Sequence, residues 1–136
     1  FAPLRSAVHD LYLKHDDASP RIKIRNWWDF PGVNALRQQL YGEWEGLHGT
    51  PSEVAITQYA VRTVTRERAN PPRALSEDEI RETAGDYHGP ASEHRKNFSD
   101  GRVGSFSELA EHEHGGQLVT VAANALTEEF RAFVAE

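Results

Sequence analysis

The chain contains no cysteine and no methionine among its 136 residues. Without cysteine, neither a disulfide framework nor a metal site with thiolate ligands can form within it. Long apolar stretches are missing as well: no run approaches the roughly 20 residues that span a bilayer, and the first residues lack a signal-peptide pattern. We therefore expect a cytoplasmic location and no membrane partner.

Positive charge is also scarce. Lysine and arginine together number 15 against 21 aspartates and glutamates, which gives a formal net charge of -6. Proteins that bind nucleic acid or anionic membranes do so through clustered Lys and Arg side chains, so the composition predicts no nucleic-acid partner. A hydrophobic share of 38% in a chain of this length predicts one globular domain, or part of one.

Several catalytic signatures are absent too. The sequence has no glycine-rich phosphate loop, no Gly-x-Ser-x-Gly elbow and no nucleophilic cysteine. The run Glu111-His112-Glu113-His114 invites a metal site, but neighbouring helical residues point in different directions, and helical ligand pairs need a spacing of three or four. We predict no metal site there.

Hydrophobic periodicity predicts mostly helices. Apolar residues recur at helical spacing over residues 1–13, 31–41 and 118–133, and Gly42 ends the second of these helices. Residues 21–26 instead alternate isoleucine with lysine and arginine, which is typical of a β-strand. Since a lone strand leaves backbone groups unpaired, we expect it to pair with strands outside this sequence.

The start of the chain supports the same expectation. The first predicted helix begins without an N-cap, and Phe1 is not the residue with which a ribosomal product begins. We therefore predict that residues 1–136 are the carboxyl-terminal part of a single domain, and that the amino-terminal half of this domain is missing from the chain.

A helix start at residues 50–53 can be read in detail. Thr50 is a favourable N-cap, Pro51 suits the first helical position, and Glu53 lies where its carboxylate can reach back to the cap. His48 therefore precedes a helix N-terminus, whose partial positive charge disfavours imidazolium and favours a neutral, proton-exchanging imidazole. The alternative is a loop histidine beside an ordinary capping box, since lone histidines are usually not catalytic.

Three tryptophans precede this histidine. Trp27 and Trp28 follow the predicted strand, and sites in open α/β sheets form beyond the carboxyl ends of strands. Adjacent strand residues point to opposite faces, so we expect one ring to pack inward and the other to face a site. Trp44 comes four residues before His48, in a predicted loop, where it is either a substrate lid or a surface anchor.

These residues belong to two blocks that resemble the creatininase (creatinine amidohydrolase) family. The first block contains Trp27-Trp28-Asp29-Phe30, Gln39-Leu40-Tyr41, Trp44, His48-Gly49 and Glu53; the second contains Ser99-Asp100-Gly101-Arg102-Val103-Gly104-Ser105 and Glu113-His114-Gly115. The resemblance implies an α/β fold, namely a three-layer α/β/α creatininase-like sandwich, of which this chain is the carboxyl-terminal half.

By the same resemblance, the protein is a metal-dependent amidohydrolase that hydrolyses a cyclic or other non-peptide C–N amide bond in a small-molecule substrate. Two divalent metal ions, zinc or manganese, would hold the attacking water, and a metal ion makes such a water easier to deprotonate. Their ligands would lie mainly in the amino-terminal half, present as a companion chain, so no metal ligand is assigned to residues 1–136. The resemblance also implies a homo-oligomer.

The family pattern assigns roles to individual side chains here. His48 would be the proton shuttle to the leaving nitrogen, and Glu53 would orient His48 or its loop. Trp28 and Trp44 would enclose the substrate, with Trp28 as the one ring of the adjacent pair that faces the site.

Two departures from the family pattern affect the substrate side. Leu47 and Thr50 stand where creatininase itself has an acidic residue and a second glycine, so another amide, a lactam or a peptide-like substrate is as consistent with the sequence as creatinine. Two other interpretations stay open. One is a non-catalytic binding subunit or remnant of the same fold, and the other is a binding domain without any family relation.

Overall fold

The computed structural model describes residues 2–15, 20–61, 70–76, 78–79, 90–99 and 101–136. Its α-helices in these ranges are α1 (Ala2–His15), α2 (Pro31–Tyr41), α3 (Pro51–Ala60), α4 (Ala91–Asn97) and α5 (His112–Ala135). Shorter 3₁₀ helices cover Trp27–Asp29, Gly42–Glu45 and Ser107–Leu109. Among the helices described, none combines the length and the hydrophobicity needed to cross a membrane.

No β-strand occurs in the described part of the chain. The predicted α/β fold class, a three-layer α/β/α sandwich, is therefore wrong for this structure, whose regular elements are all helical. Residues 21–26 form no helix, in line with their alternating pattern, but they pair with no strand among the described residues. The alternating pattern indicates only which side chains share a face. A β-strand forms only when its backbone hydrogen-bonds to a second strand.

Side-chain contacts hold the extended segment (residues 20–26) against the second half of α5. Lys23 and Arg25 both form ion pairs with the Glu129 carboxylate, and Arg25 Nε donates to Glu129 Oε1 at 2.6 Å. The hydrogen bond between Arg25 and Glu129 is the main reason that the pKa of Arg25 is raised and the pKa of Glu129 is lowered. Polar contacts from alternating side chains therefore take the place of the expected backbone ladder.

Helix α2 begins and ends where the sequence predicts. Pro31 occupies the first helical turn, where its missing N–H leaves no hydrogen bond unmade. Gly42 closes the helix with a φ of 54°, and its N–H donates to the carbonyl of Gln38. The buried side chains of Phe30, Val33, Tyr41 and Leu118 form a hydrophobic core cluster in the described chain.

Helix α5 is continuous from His112 to Ala135, although Gly115 and Gly116 lie near its start. Glycine is about 1 kcal/mol less favourable than alanine in a helix interior. At Gly115 there is a packing reason for it, because a Cβ there would lie 2.1 Å from the carbonyl oxygen of Ala55 in α3. The missing side chain lets α3 and α5 cross at close range, and theirs is the most extensive helix contact in the described chain.

Helix α1 confirms the predicted first helix over Ala2–His15, while Phe1 lies outside the described residues. None of its side chains is buried, and Leu4 and Leu13 are 57% and 79% exposed. The Tyr12 hydroxyl accepts a hydrogen bond of 2.9 Å from the N–H of Ile22 in the extended segment. Leu4 on the apolar stripe of α1 thus faces solvent, whereas Val8 and Leu11 are partly buried.

Candidate functional site

His48 lies in the loop that connects the Gly42–Glu45 3₁₀ helix to α3, and its side chain is half-buried. We call residues 46–50 the histidine loop. Gly46 and Gly49 adopt positive φ angles of 59° and 62°, a region that glycine enters without the steric penalty of a Cβ. These two turns define the backbone of the loop on either side of His48.

The start of α3 confirms the predicted capping box. The Glu53 N–H donates to Thr50 Oγ1 at 3.1 Å, and the Thr50 N–H donates to Glu53 Oε2 at 3.1 Å. Pro51 occupies the first helical turn, as predicted. Glu53 is exposed, and its carboxylate also accepts a hydrogen bond of 3.2 Å from the Thr50 hydroxyl. Its geometry is that of a cap, and its predicted role in orienting His48 stays a prediction.

Main-chain hydrogen bonds join the histidine loop to a segment that lies far away in the sequence. The Leu47 N–H donates to the carbonyl of Val103 at 3.0 Å, and the Phe106 N–H donates to the carbonyl of Trp44 at 2.9 Å. The structure thereby brings together the two sequence blocks that carry the family resemblance. Val103, the residue of the second block that accepts from Leu47, is buried.

The glycines of the histidine loop make the closest contacts with this segment. A Cβ at Gly46 would lie 2.3 Å from both N and Oγ of Ser105, so only glycine permits this approach. Ser105 is fully buried there. At the other glycine, Ser107 Oγ donates to the carbonyl of Gly49 at 2.5 Å. The loop is therefore held at both of its turns.

Trp27 and Trp28 occupy the Trp27–Asp29 3₁₀ helix, which directly precedes α2. Trp27 packs against the core, whereas Trp28 is 40% exposed, and the two rings meet edge to face with their centroids 5.6 Å apart. The structure thus has one inner ring and one outer ring. A 3₁₀ helix produces this division, rather than the strand alternation that the sequence predicted.

Trp44 lies at the other end of α2, in the Gly42–Glu45 3₁₀ helix. Its ring contacts that of Phe106 edge to face, with centroids 6.2 Å apart. Since Trp28 and Trp44 have different ring partners and flank a helix of 11 residues, the structure does not stack them on each other. Their joint enclosure of a substrate stays a prediction.

A buried polar cluster lies beside the histidine loop, and no pattern in the sequence predicts it. Glu45 is only 8% exposed, and its Oε1 accepts hydrogen bonds from Arg37 Nε, at 2.7 Å, and from Ser52 Oγ. Its second oxygen, Oε2, is buried and has no hydrogen-bond partner among the described residues. Arg37 and Glu45 lie on either side of the helix end at Gly42, so the helical spacings that indicate ion pairs do not apply to them.

Within the described ranges, no group of three or more histidine, aspartate or glutamate side chains is arranged to hold a metal ion. His112 and His114 have separate partners: the His112 ring lies 5.4 Å from the ring of Tyr59, and His114 Nδ1 lies 3.2 Å from the Tyr41 hydroxyl. The described residues therefore do not fit the metal pair that the family resemblance implies.

No family model matches this sequence, and no curated protein matches it. The resemblance to the creatininase family consequently depends on the residues of the two blocks alone, and it stays a prediction.

Proposed function

We propose that this chain carries the proton-transfer and substrate-facing part of a metal-dependent amidohydrolase that acts on a cyclic or other non-peptide C–N amide bond. His48 is the proton shuttle, and Trp28 and Trp44 face the substrate. One observation carries the proposal: the two blocks of the family resemblance, which are distant in the sequence, meet at the histidine loop, where the Leu47 N–H donates to the carbonyl of Val103.

The chemistry of amide hydrolysis explains why a histidine in this loop is a suitable candidate. The nitrogen of a tetrahedral intermediate leaves readily only when it is protonated, and a positioned general acid contributes about 10²- to 10⁴-fold in rate. Imidazole can accept and donate a proton near neutral pH. His48 lies in a loop whose backbone is tied down on both sides, which suits a group that must stay in one place during the reaction.

We further propose, from the family resemblance, that a companion chain supplies the ligands for the divalent ions, zinc or manganese. The described residues contain no group of three possible ligands. Ions of this kind, when bound, polarise a carbonyl group and activate water. The role proposed for His48 is a proton transfer at its own imidazole and involves no contact between this chain and a metal ion.

The test is the variant His48→Asn, assayed in the protein together with its companion chain and with Zn²⁺ or Mn²⁺ in the buffer. The substrates are creatinine and a series of five- and six-membered lactams, and ring opening is measured. We expect kcat to fall by at least about 100-fold, the typical contribution of a general acid, with unchanged metal content and unfolding temperature. The matched control is His9→Asn on the exposed surface of α1, which should keep the wild-type rate.

Glu53→Gln refines the test, because glutamine can still accept the hydrogen bond from the Thr50 N–H. A small effect assigns Glu53 to capping alone, whereas a large loss of kcat shows that its charge acts on His48. Near-normal turnover by His48→Asn, or loss of metal from that variant, would contradict the shuttle role. If the metal-loaded wild-type protein opens none of these rings, a non-catalytic binding subunit becomes the better description.

A further inference from the structure

The buried carboxylate of Glu45 joins the two ends of the histidine loop. Glu45 immediately precedes the loop, and Ser52 follows it in the first turn of α3. A hydrogen bond from Ser52 Oγ to Glu45 Oε1 connects these two residues, and Ser52 Oγ also lies 2.9 Å from Thr50 Oγ1. The carboxylate and the hydroxyl together therefore close the loop at its base.

Arg37 links this base to the turn that carries Trp28. Its Nε donates to Glu45 Oε1 at 2.7 Å, and its Nη1 donates to Asn34 Oδ1 at 2.9 Å. Asn34 Nδ2 in turn donates to the carbonyl of Trp28 at 2.7 Å. The guanidinium of Arg37 also lies 5.6 Å from the centre of the Trp27 ring, within the range of a cation–π contact. One face of α2 thus connects the two ends of the candidate site.

Stability alone does not explain a charged pair at this place. The side chains of Arg37 and Glu45 are only 18% and 11% exposed. Apolar side chains can often replace a buried ion pair without loss of stability, whereas the removal of one partner leaves a buried charge without compensation. Unlike an apolar contact, the hydrogen bonds between a guanidinium and a carboxylate are directional. They therefore fix two elements in one relative arrangement.

We propose that Arg37 and Glu45 are positioning residues, which set the histidine loop, and with it His48, in a fixed arrangement relative to the Trp28 turn. The catalytic meaning of this arrangement rests on the proposed function. The arrangement itself can be measured without any substrate.

Amide hydrogen exchange at Leu47 reports on the position of the loop, because this N–H donates to the carbonyl of Val103. The exchange rate is measured relative to that of Leu118 in the core, so that a global loss of stability affects both amides. In Glu45→Ala, we expect relative exchange at Leu47 to rise by about tenfold, since two hydrogen bonds to a charged group are lost. Glu45→Gln keeps an oxygen acceptor and should raise it less.

The control variant is Glu128→Gln, which removes an ion pair with Arg131 between two exposed side chains. It should leave exchange at Leu47 unchanged. The decisive variant combines Arg37→Met with Glu45→Leu, which removes both charges and keeps similar volumes. We expect it to unfold near the wild-type midpoint while Leu47 still exchanges rapidly.

Two results would overturn the proposal: unchanged relative exchange at Leu47 in Glu45→Ala, or a return to wild-type exchange in the double variant. On an amide substrate, the double variant should also show a kcat lowered by about tenfold at wild-type stability, as expected for a misplaced catalytic group. A wild-type protein without amide hydrolysis would refute the proposed function, and the exchange rates would still decide whether Arg37 and Glu45 position the loop.

Discussion

The two halves of α5 have very different surroundings. In the first half, Gly115 and Leu118 are buried against α2 and α3. In the second half, Leu126 and Phe130 are 50% and 60% exposed, and the extended segment is held there mainly by ion pairs with Glu129. Close apolar packing and partly exposed ion pairs differ in strength and in their response to pH. The same kind of change should therefore have different effects in the two halves.

The largest difference is expected between Leu118→Ala and Leu126→Ala. Leu118 is fully buried in the core, so its truncation should lower the free energy of unfolding by about 2–5 kcal/mol. Leu126 is half exposed, and its truncation should cost less than about 1 kcal/mol. Urea unfolding followed by circular dichroism measures both values. Equal losses would show that the second half of α5 is packed as tightly as the first.

A second pair of variants tests the contact between α3 and α5. In Gly115→Ala, the new methyl group meets the carbonyl oxygen of Ala55, and overpacking of this kind costs about 1–3 kcal/mol. In Gly116→Ala, the new Cβ lies 3.1 Å from a ring carbon of Tyr59, whose ring can move, and alanine favours the helix. Thermal unfolding should show a loss of stability for the first variant and little change for the second. A stabilised Gly115→Ala protein would contradict the close helix crossing.

The third prediction concerns pH. Hydrogen bonds from Arg25, and then from Lys23, lower the pKa of Glu129. A carboxylate whose pKa is lower in the folded state stabilises that state above its unfolded pKa, and this stabilisation is lost as the pH falls through the folded pKa. Acidification should therefore loosen the extended segment before it affects the core.

Backbone NMR shifts of Ile24 and Leu118 measure this difference between roughly pH 2 and pH 6, the range in which glutamates titrate. In Glu129→Gln at neutral pH, the chemical shift of Ile24 should equal the value that the wild-type protein has at low pH. The chemical shift of Leu118 should stay unchanged. Parallel shifts of both residues would show that the segment and the core respond to acid as one unit.

The smallest effect is expected for Arg21→Ala. Arg21 pairs with Glu136 at 3.4 Å, and the two side chains are 52% and 72% exposed. The Arg21 guanidinium also lies 4.7 Å from the centre of the Phe133 ring. Exposed contacts of these two kinds contribute at most about 1 kcal/mol each. Unfolding midpoints at low and high salt should differ little from wild type, and a larger loss would assign a structural role to the end of α5.

The elements that local signals define could be predicted from the sequence. Pro31 and Gly42 define the bounds of α2, and the Thr50–Glu53 capping box defines the start of α3, because each signal acts within a few residues. The alternation in residues 21–26 excluded a helix correctly but wrongly predicted a strand, since strand formation depends on a partner elsewhere.

The candidate site was predicted only in part for a similar reason. The position of His48 before α3 follows from the capping box, and the structure has it there. The ion pair between Arg37 and Glu45 forms because the chain turns at Gly42. The number of residues between two side chains does not predict whether they meet across such a turn. The contact between Gly46 and Ser105 likewise depends on the tertiary fold.

The histidine loop is attached through its main chain, by the N–H of Leu47 and the carbonyls of Trp44 and Gly49. Any residue other than proline at position 47 keeps the N–H that donates to Val103, whereas any side chain at Gly46 would overlap Ser105. Directed evolution of this protein can therefore randomise position 47, next to His48, while position 46 is kept. Position 47, next to the proposed proton shuttle His48, can thus vary in side-chain size and charge without any change to the backbone that carries its neighbour.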